Sequence, residues 1–246
     1  MPVRINEMFN WSIVIPFHNE EANCREVLRE LRPVLAALPA SAEVLAVDDG
    51  SRDATQARLR EIAAEWPAVR VVALVGNHGQ AAALYTGMRL ARAPIIIIMD
   101  GDGQNVAADI PRLLDALVPG VDMVAGIRAK RNDSWLRKNM SRFANAIRAK
   151  LLGDGMRDSG CALKAFRREV VEAFLPMRTL YSFMPALAVA AGFRVVQLEV
   201  QHRARERGQS HYGLFVMLWR PALDMMGLWW WRRRRFPLPK IAEDPK

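Results

Sequence analysis

The sequence predicts an α/β fold with a mostly parallel central sheet flanked by helices. Three observations carry that prediction. Short strand-like apolar runs alternate with amphipathic, helix-spaced stretches through the first half of the chain. One run, Ile95-Ile96-Ile97-Ile98-Met99, is apolar without alternation, as a strand buried on both faces of a parallel sheet must be. Polar or acidic groups close three of the runs, at Asn19/Glu20, Asp48/Asp49 and Asp100/Asp102. Parallel strands finish on one edge of a sheet, so these groups are expected to converge there.

The elements follow in order. Ser12–Ile15 reads as a short buried strand ending in Pro16-Phe17-His18-Asn19-Glu20-Glu21. Val27, Leu28, Leu31, Val34, Leu35 and Leu38 then recur at helical spacing. Asn19 or Glu20 is placed to start that helix, and Pro33 is expected to kink or break it. Glu43–Val47 is the second strand, followed by a helix through Leu59 and Ile62 to about Trp66. Val69–Val75 is the third strand. Asn77-His78-Gly79-Gln80 is a polar turn before a small-residue helix from Ala81 to Ala91. After the central run come a helix at Asp109–Leu117 and a short strand at Asp122–Ala125.

The second half is less regular. A basic, helix-spaced stretch holds Arg131, Arg137, Lys138, Arg142, Arg148 and Lys150, most of them read as a solvated helix face. Arg157-Asp158-Ser159-Gly160 is a turn into a strand near Ala162–Phe166. Helices are expected at about 168–175 and 181–191, and a strand at Val195–Val200. Residues 214–231 are strongly apolar but carry Arg220, Pro221 and Asp224 in the middle. A central Arg or Asp costs about 2.5–3.5 kcal/mol on membrane insertion, which argues against a spanning helix. Trp229-Trp230-Trp231 followed by Arg232–Arg235 and Phe236 instead suits an amphipathic segment lying in a membrane surface. A core-covering or dimer-forming helix is the alternative.

Composition narrows the classes of function. The chain has 35 Lys and Arg against 26 Asp and Glu, a net charge of +9, which favours an anionic partner. A nucleic-acid binder is opposed by the acidic strand ends and by the lack of any zinc, RRM-like or helix-turn-helix signature. Cys24 and Cys161 match no metal spacing or disulfide framework and are read as packing residues in a reducing compartment. The N-terminus carries no signal-peptide pattern, so a cytoplasmic location is expected.

Asp100-Gly101-Asp102-Gly103-Gln104 is the stretch with the most chemistry. Two carboxylates one residue apart can reach one hard divalent cation, and a side-chain amide follows two positions on. A polar turn after a buried strand would share that spacing, but the convergence of three strand ends favours a site.

Pro16-Phe17-His18-Asn19-Glu20, Val47-Asp48-Asp49-Gly50-Ser51, Met99-Asp100-Gly101-Asp102-Gly103-Gln104 and Arg205-Glu206-Arg207-Gly208-Gln209-Ser210 occur in this order. As a set they resemble family 2 glycosyltransferases of the GT-A fold, in the dolichyl-phosphate mannose synthase-like branch that glycosylates polyprenyl phosphates. The resemblance spans nearly all of residues 10–212, so a catalytic domain is expected over 1–212, and the Trp and Arg cluster marks 213–246 as a membrane-surface segment. It implies inverting, metal-dependent transfer of a hexose, mannose foremost, from a nucleotide sugar to a polyprenyl phosphate. GDP-mannose is the favoured donor and a UDP-sugar the alternative. By that resemblance Pro16, Phe17, Glu20, Asp48, Asp49, Asp100 and Gly101 bind the donor nucleotide, and Asp100, Asp102 and Gln104 hold Mg²⁺ or Mn²⁺. Asp102, Arg128, Arg137 and Arg205 are the implied catalytic groups, with Asp158, Ser159, Ser210 and His211 on the acceptor and phosphate side.

Two departures stand out. Gly101 and Gly103 replace the Ala and Leu common in that branch, which is expected to loosen the loop, and His211 stands where many members have Lys. The expected setting is the inner face of the cell membrane, peripherally bound. A saccharide or diacylglycerol acceptor and a non-catalytic membrane adaptor are the competing readings.

Overall fold

The computed structural model describes residues 9–129, 148–203 and 214–235. Its centre is a seven-stranded sheet in the order β3-β2-β1-β4-β6-β5-β7. The strands are β1 (Trp11–Phe17), β2 (Ala42–Asp48), β3 (Val69–Ala73), β4 (Ile95–Ile98), β5 (Met123–Arg128), β6 (Lys164–Arg167) and β7 (Val195–Val200). All pairings are parallel except those of β6, which runs antiparallel to both β4 and β5. That reversal brings the start of β6, and the Asp158–Gly160 turn before it, to the edge where the parallel strands end.

Helices cover both faces. Strand periodicity sends Ile13, Ile15 and Phe17 of β1 to one face, with Val44, Ala46 and Ile97. There they pack on Leu28 and Leu31 of α1 (Cys24–Ala36), Leu59 of α2 (Thr55–Glu65), and Ile110 and Leu113 of α4 (Ile110–Ala116). Val14, Leu45, Val47, Ile96 and Ile98 face the other way. They meet Leu84 and Met88 of α3 (Gln80–Leu90), Phe183 and Leu187 of α5 (Leu180–Ala190), and Leu228 of the last helix, α6 (Leu214–Arg234). Cys24 and Cys161 are free thiols buried in the first layer.

Several expectations need correction. β1 runs on through Pro16 to Phe17. Val14 faces β4, since its carbonyl accepts from the Met99 N–H, so Pro16, two residues on, turns the same way. β4 has ended opposite Val14, so the missing proline N–H costs no ladder bond. α1 starts at Cys24 rather than at Asn19 or Glu20, because those two residues are tied to the next loop. Asn19 N–H donates to Ser51 Oγ, Glu20 N–H to Thr55 Oγ1 and Glu21 N–H to Asp53 Oδ2. Pro33 does not break α1, which continues to Ala36. It sits in the last turn, where only the Arg29 carbonyl loses a partner. The fourth expected helix, Asp109–Leu117, is α-helical over Ile110–Ala116, and Asp109 belongs instead to a 3₁₀ turn over Ala107–Asp109 that leads into it.

Candidate active site at the carboxyl edge of the sheet

The register lines up the strand ends. Phe17 pairs with Asp48, and the Asp49 N–H donates to the Phe17 carbonyl, so the loops after β1 and β2 leave side by side. Asp48 is fully buried and accepts from the Ser51 N–H and the Gln56 side-chain amide. Asp49 is also buried, and its two carboxylate oxygens accept from the N–H groups of His78 and Gly79 at 2.8 Å. It thereby fixes the turn that opens α3. Gly79 needs its missing side chain, since its φ is +90°. Pro16 and Phe17 are buried beneath this edge, and the half-buried Glu20 accepts from the Asn23 side-chain amide at 2.6 Å.

The Asp100–Gln104 stretch leaves β4 as a turn, so the carboxylates sit on a loop rather than on a continuing strand. The loop is braced on three sides. Gln80 at the start of α3 donates to Asp100 Oδ1 (2.6 Å), the Asp100 N–H donates to Asn105 Oδ1 (2.7 Å), and the Gln104 N–H donates to Asp102 Oδ1 (3.1 Å). A Cβ on Gly101 would lie 2.5 Å from the Phe17 ring and 2.6 Å from the Pro16 carbonyl oxygen. Glycine there lets the loop press onto the end of β1, so the expected loosening at this position is corrected to close packing. The Arg203 N–H reaches the Gln104 carbonyl (2.9 Å), and the Gln104 side-chain nitrogen approaches the Arg203 carbonyl (3.4 Å). A cavity of about 520 Å³ opens beside Asp102, walled by Asn23, Glu26 and Glu30 of the α1 side and by Asn105 and Arg203. Arg203 Nη1 bonds both Glu30 oxygens, at 2.7 and 2.8 Å, across it.

Burial, and then the negative charge of Asp102, push the Asp100 carboxyl from its ordinary 3.8 up to about 7. Lys164 and Arg128 oppose that shift. Lys164 starts β6 and is 1% exposed, its Nζ donating to the carbonyls of Cys161 and Tyr181. Burial lowers its own pKa, while Cys161, Asp100 and Asp158 pull the other way. Arg128 closes β5 and is held by a two-pronged bond, Nε and Nη2 each 2.8 Å from the Asp158 carboxylate. Gly160 allows it: a Cβ there would lie 2.9 Å from Arg128 Nη2. Ser159 is buried in the same turn.

Asp100, Asp102, Arg128 and Asp158 are thus brought together at one edge, while Asp48, Asp49, Pro16 and Phe17 form its buried floor. Arg137, Arg205, Ser210 and His211 lie outside the described residues. Sequence reading missed Gln80, Asn105, Lys164 and Arg203. Lys164 left one signal, a lone cation in the otherwise apolar run Ala162–Phe166.

Among the described residues no group of three or more His, Cys, Asp or Glu stands close enough to hold a metal ion. Asp100 and Asp102 nonetheless offer all-oxygen donors, and their mutual repulsion is what a divalent cation would relieve. Such a pair fits a hard cation whose other positions are filled by water or phosphate oxygens. Gln104 points its side-chain nitrogen toward the Arg203 carbonyl, a contact that does not engage the amide oxygen a cation would use.

The family model described as "Glycosyl transferase family 2" matches residues 12–175. The undecaprenyl-phosphate 4-deoxy-4-formamido-L-arabinose transferase of Aeromonas hydrophila is 38% identical over 208 residues, covering 84% of this chain and 64% of that protein. Its namesake from Pseudomonas aeruginosa is 39% identical over 209 residues, covering 84% and 61%. The chain therefore spans less than two thirds of the length of these relatives. Among solved structures, glucosyl-3-phosphoglycerate synthase from Mycobacterium tuberculosis with Mn²⁺ and UDP superposes with a TM-score of 0.66 at 19% identity, covering 94% of this chain and 85% of that one. A mannosyltransferase from Pyrobaculum calidifontis with GDP-Man and Mn²⁺ gives 0.68 at 22%, covering 96% and 67%. At such identities the likeness is one of fold, the GT-A arrangement.

Proposed function

The chain belongs to glycosyl transferase family 2, and from that footing we propose that it moves a sugar from a nucleoside-diphosphate donor to a polyprenyl phosphate at a membrane surface. The observation that carries the reading is the Asp100–Asp102 pair, braced at the sheet edge beside the Arg128–Asp158 clamp. The relatives' names supply the acceptor class, undecaprenyl phosphate, and attach a formamido-arabinosyl group. A nucleotide-linked sugar of that kind is the donor we favour. Mannose from GDP-mannose, expected from the motifs alone, is the competing reading.

In this account Asp100 and Asp102 would hold Mg²⁺ or Mn²⁺, which when bound supplies positive charge to the donor diphosphate. Asp48 and Asp49 shape the floor on which the nucleoside rests, and Asp49 does so by fixing the His78–Gly79 backbone. Arg128 serves as a fixed cation for the charge that grows on the leaving diphosphate, and Asp158 spares it any reorganisation. The acceptor phosphate is ionised at neutral pH and attacks the anomeric carbon directly. A carbon–oxygen bond to the acceptor forms as the bond to the nucleoside diphosphate breaks, with inversion and without a side-chain base. Among the described residues no helix is long and apolar enough to cross a membrane. We place the chain peripherally, on the inner face of the membrane where nucleotide sugars are made.

The test is a transfer assay with undecaprenyl phosphate, Mn²⁺ and one nucleotide sugar at a time, read by mass spectrometry of the lipid fraction. A glycosylated lipid phosphate from one donor supports the reading. Transfer only to saccharide or diacylglycerol acceptors would replace the acceptor, and no transfer from any donor would overturn the proposal.

A further inference from the structure

The last helix has two faces, and only one is accounted for by the fold. Its inner face carries Leu228, buried in the core, with Met225, Trp229 and Trp231 packed partly against it. Thr179 Oγ1 donates to Asp224 Oδ2 at 2.5 Å, and Arg232 Nη1 donates to the Leu152 carbonyl. These contacts pin the helix to the domain. The outer face holds Leu223, Met226 and Trp230, which are 51%, 64% and 59% exposed. At ~100° per residue these three fall within about 60° of one another. By the same count Arg233 and Arg234 flank the stripe, one on each side, and both are exposed. A helix that merely covers a core turns its polar side outward. Here the described outward side is apolar and ends in cations.

We propose that this face, Leu223, Met226 and Trp230 bordered by Arg233 and Arg234, docks the domain onto an anionic lipid surface. Indole favours the interfacial layer, and arginine meets headgroup phosphate. Arg233 already lies over the Trp229 ring, 4.2 Å from its centroid, so one side of the cationic border is held in place. A second copy of the chain would fit less well, since it brings the same arginine block and the same net charge of +9. Because the inner face is pinned, docking also sets the orientation of the sheet edge relative to the bilayer. The inference deepens the reading above and rests on it for its purpose, an acceptor whose phosphate lies in the headgroup layer.

The experiment is sedimentation of the full chain with vesicles of phosphatidylcholine alone and of phosphatidylcholine mixed with phosphatidylglycerol. It needs no donor, metal or acceptor, so its outcome is separate from that of the transfer assay. Wild type should sediment with the anionic vesicles and less so in high salt, since exposed charges are screened beyond ~10 Å at 0.1 M. Met226→Glu with Trp230→Glu, and separately Arg233→Gln with Arg234→Gln, should each lower binding roughly tenfold. Far-UV circular dichroism and an unchanged melting temperature confirm that the variants fold. Wild type remaining in the supernatant with both vesicles would overturn the proposal. So would unchanged binding by both variants. A dimer in analytical ultracentrifugation that Met226→Glu with Trp230→Glu dissociates, without change in vesicle binding, would assign the face to a second copy.

Discussion

Asp158 and Gly101 show how single side chains build this site, and each makes a measurable prediction. Asp158→Ala leaves Arg128 without its two-pronged partner at a position where both groups are largely withdrawn from water. Breaking such a pair should cost about 3 kcal/mol, visible as a lower urea midpoint with an unchanged slope, and transfer should fall with it. Asp158→Asn keeps one acceptor oxygen and should lie between. Gly101→Ala forces a methyl onto the Phe17 ring and the Pro16 carbonyl, an overpacking expected to cost about 1–3 kcal/mol in thermal unfolding. An alanine variant as stable as wild type would show that the loop is looser than described. Asp100 makes a pH prediction for the protein freed of metal by a chelator. Its folded carboxyl titrates at about 7, whereas the unfolded group titrates near 3.8, so between those values the folded state binds more protons. Stability should therefore fall as pH rises through that window and level off above it. The wild-type melting temperature at pH 5 and pH 8, set against that of Asp100→Asn, isolates this group; the variant should lose that part of the decline.

At the level of elements, most of the architecture could be read from spacing. The runs at Ile95–Ile98 and Val195–Val200 are strands, and the small-residue stretch is helix α3, because period and composition speak for themselves there. The reversed strand β6 could not be read. A short apolar strand has the same pattern whichever way it runs, and only its hydrogen-bonded neighbours decide. The site divides in the same way. Acidic strand ends announce themselves in sequence, but Gln80, Lys164 and the Arg128–Asp158 clamp depend on contacts between residues far apart in the chain. Asp49 is the instructive case. The motif marks it for the nucleotide, whereas the structure gives its carboxylate to two backbone N–H groups. The docking of α6 likewise rests on a distant pair, Thr179 with Asp224. Thr179→Val should speed amide exchange across residues 223–235 while moving the global melting temperature little, since the sheet core lies elsewhere. Unchanged exchange would mean that the apolar inner face holds the helix unaided.

Taken whole, the molecule places acidic ligands, a clamped arginine and an apolar, cation-tipped helix on one scaffold. On the proposed function, the sheet edge binds a nucleoside diphosphate through a metal held by Asp100 and Asp102. The most direct measurement is a thermal-shift series with UDP and GDP, each with and without Mn²⁺, on wild type and Asp102→Asn. Specific binding at a hundredfold excess over Kd adds about 2.7 kcal/mol, which for a chain of this size raises the melting temperature by about 5–10 °C. One nucleotide should give such a rise, dependent on Mn²⁺ and lost in Asp102→Asn. A rise that persists in the variant, or that ignores the metal, would contradict it, as would no rise with either nucleotide.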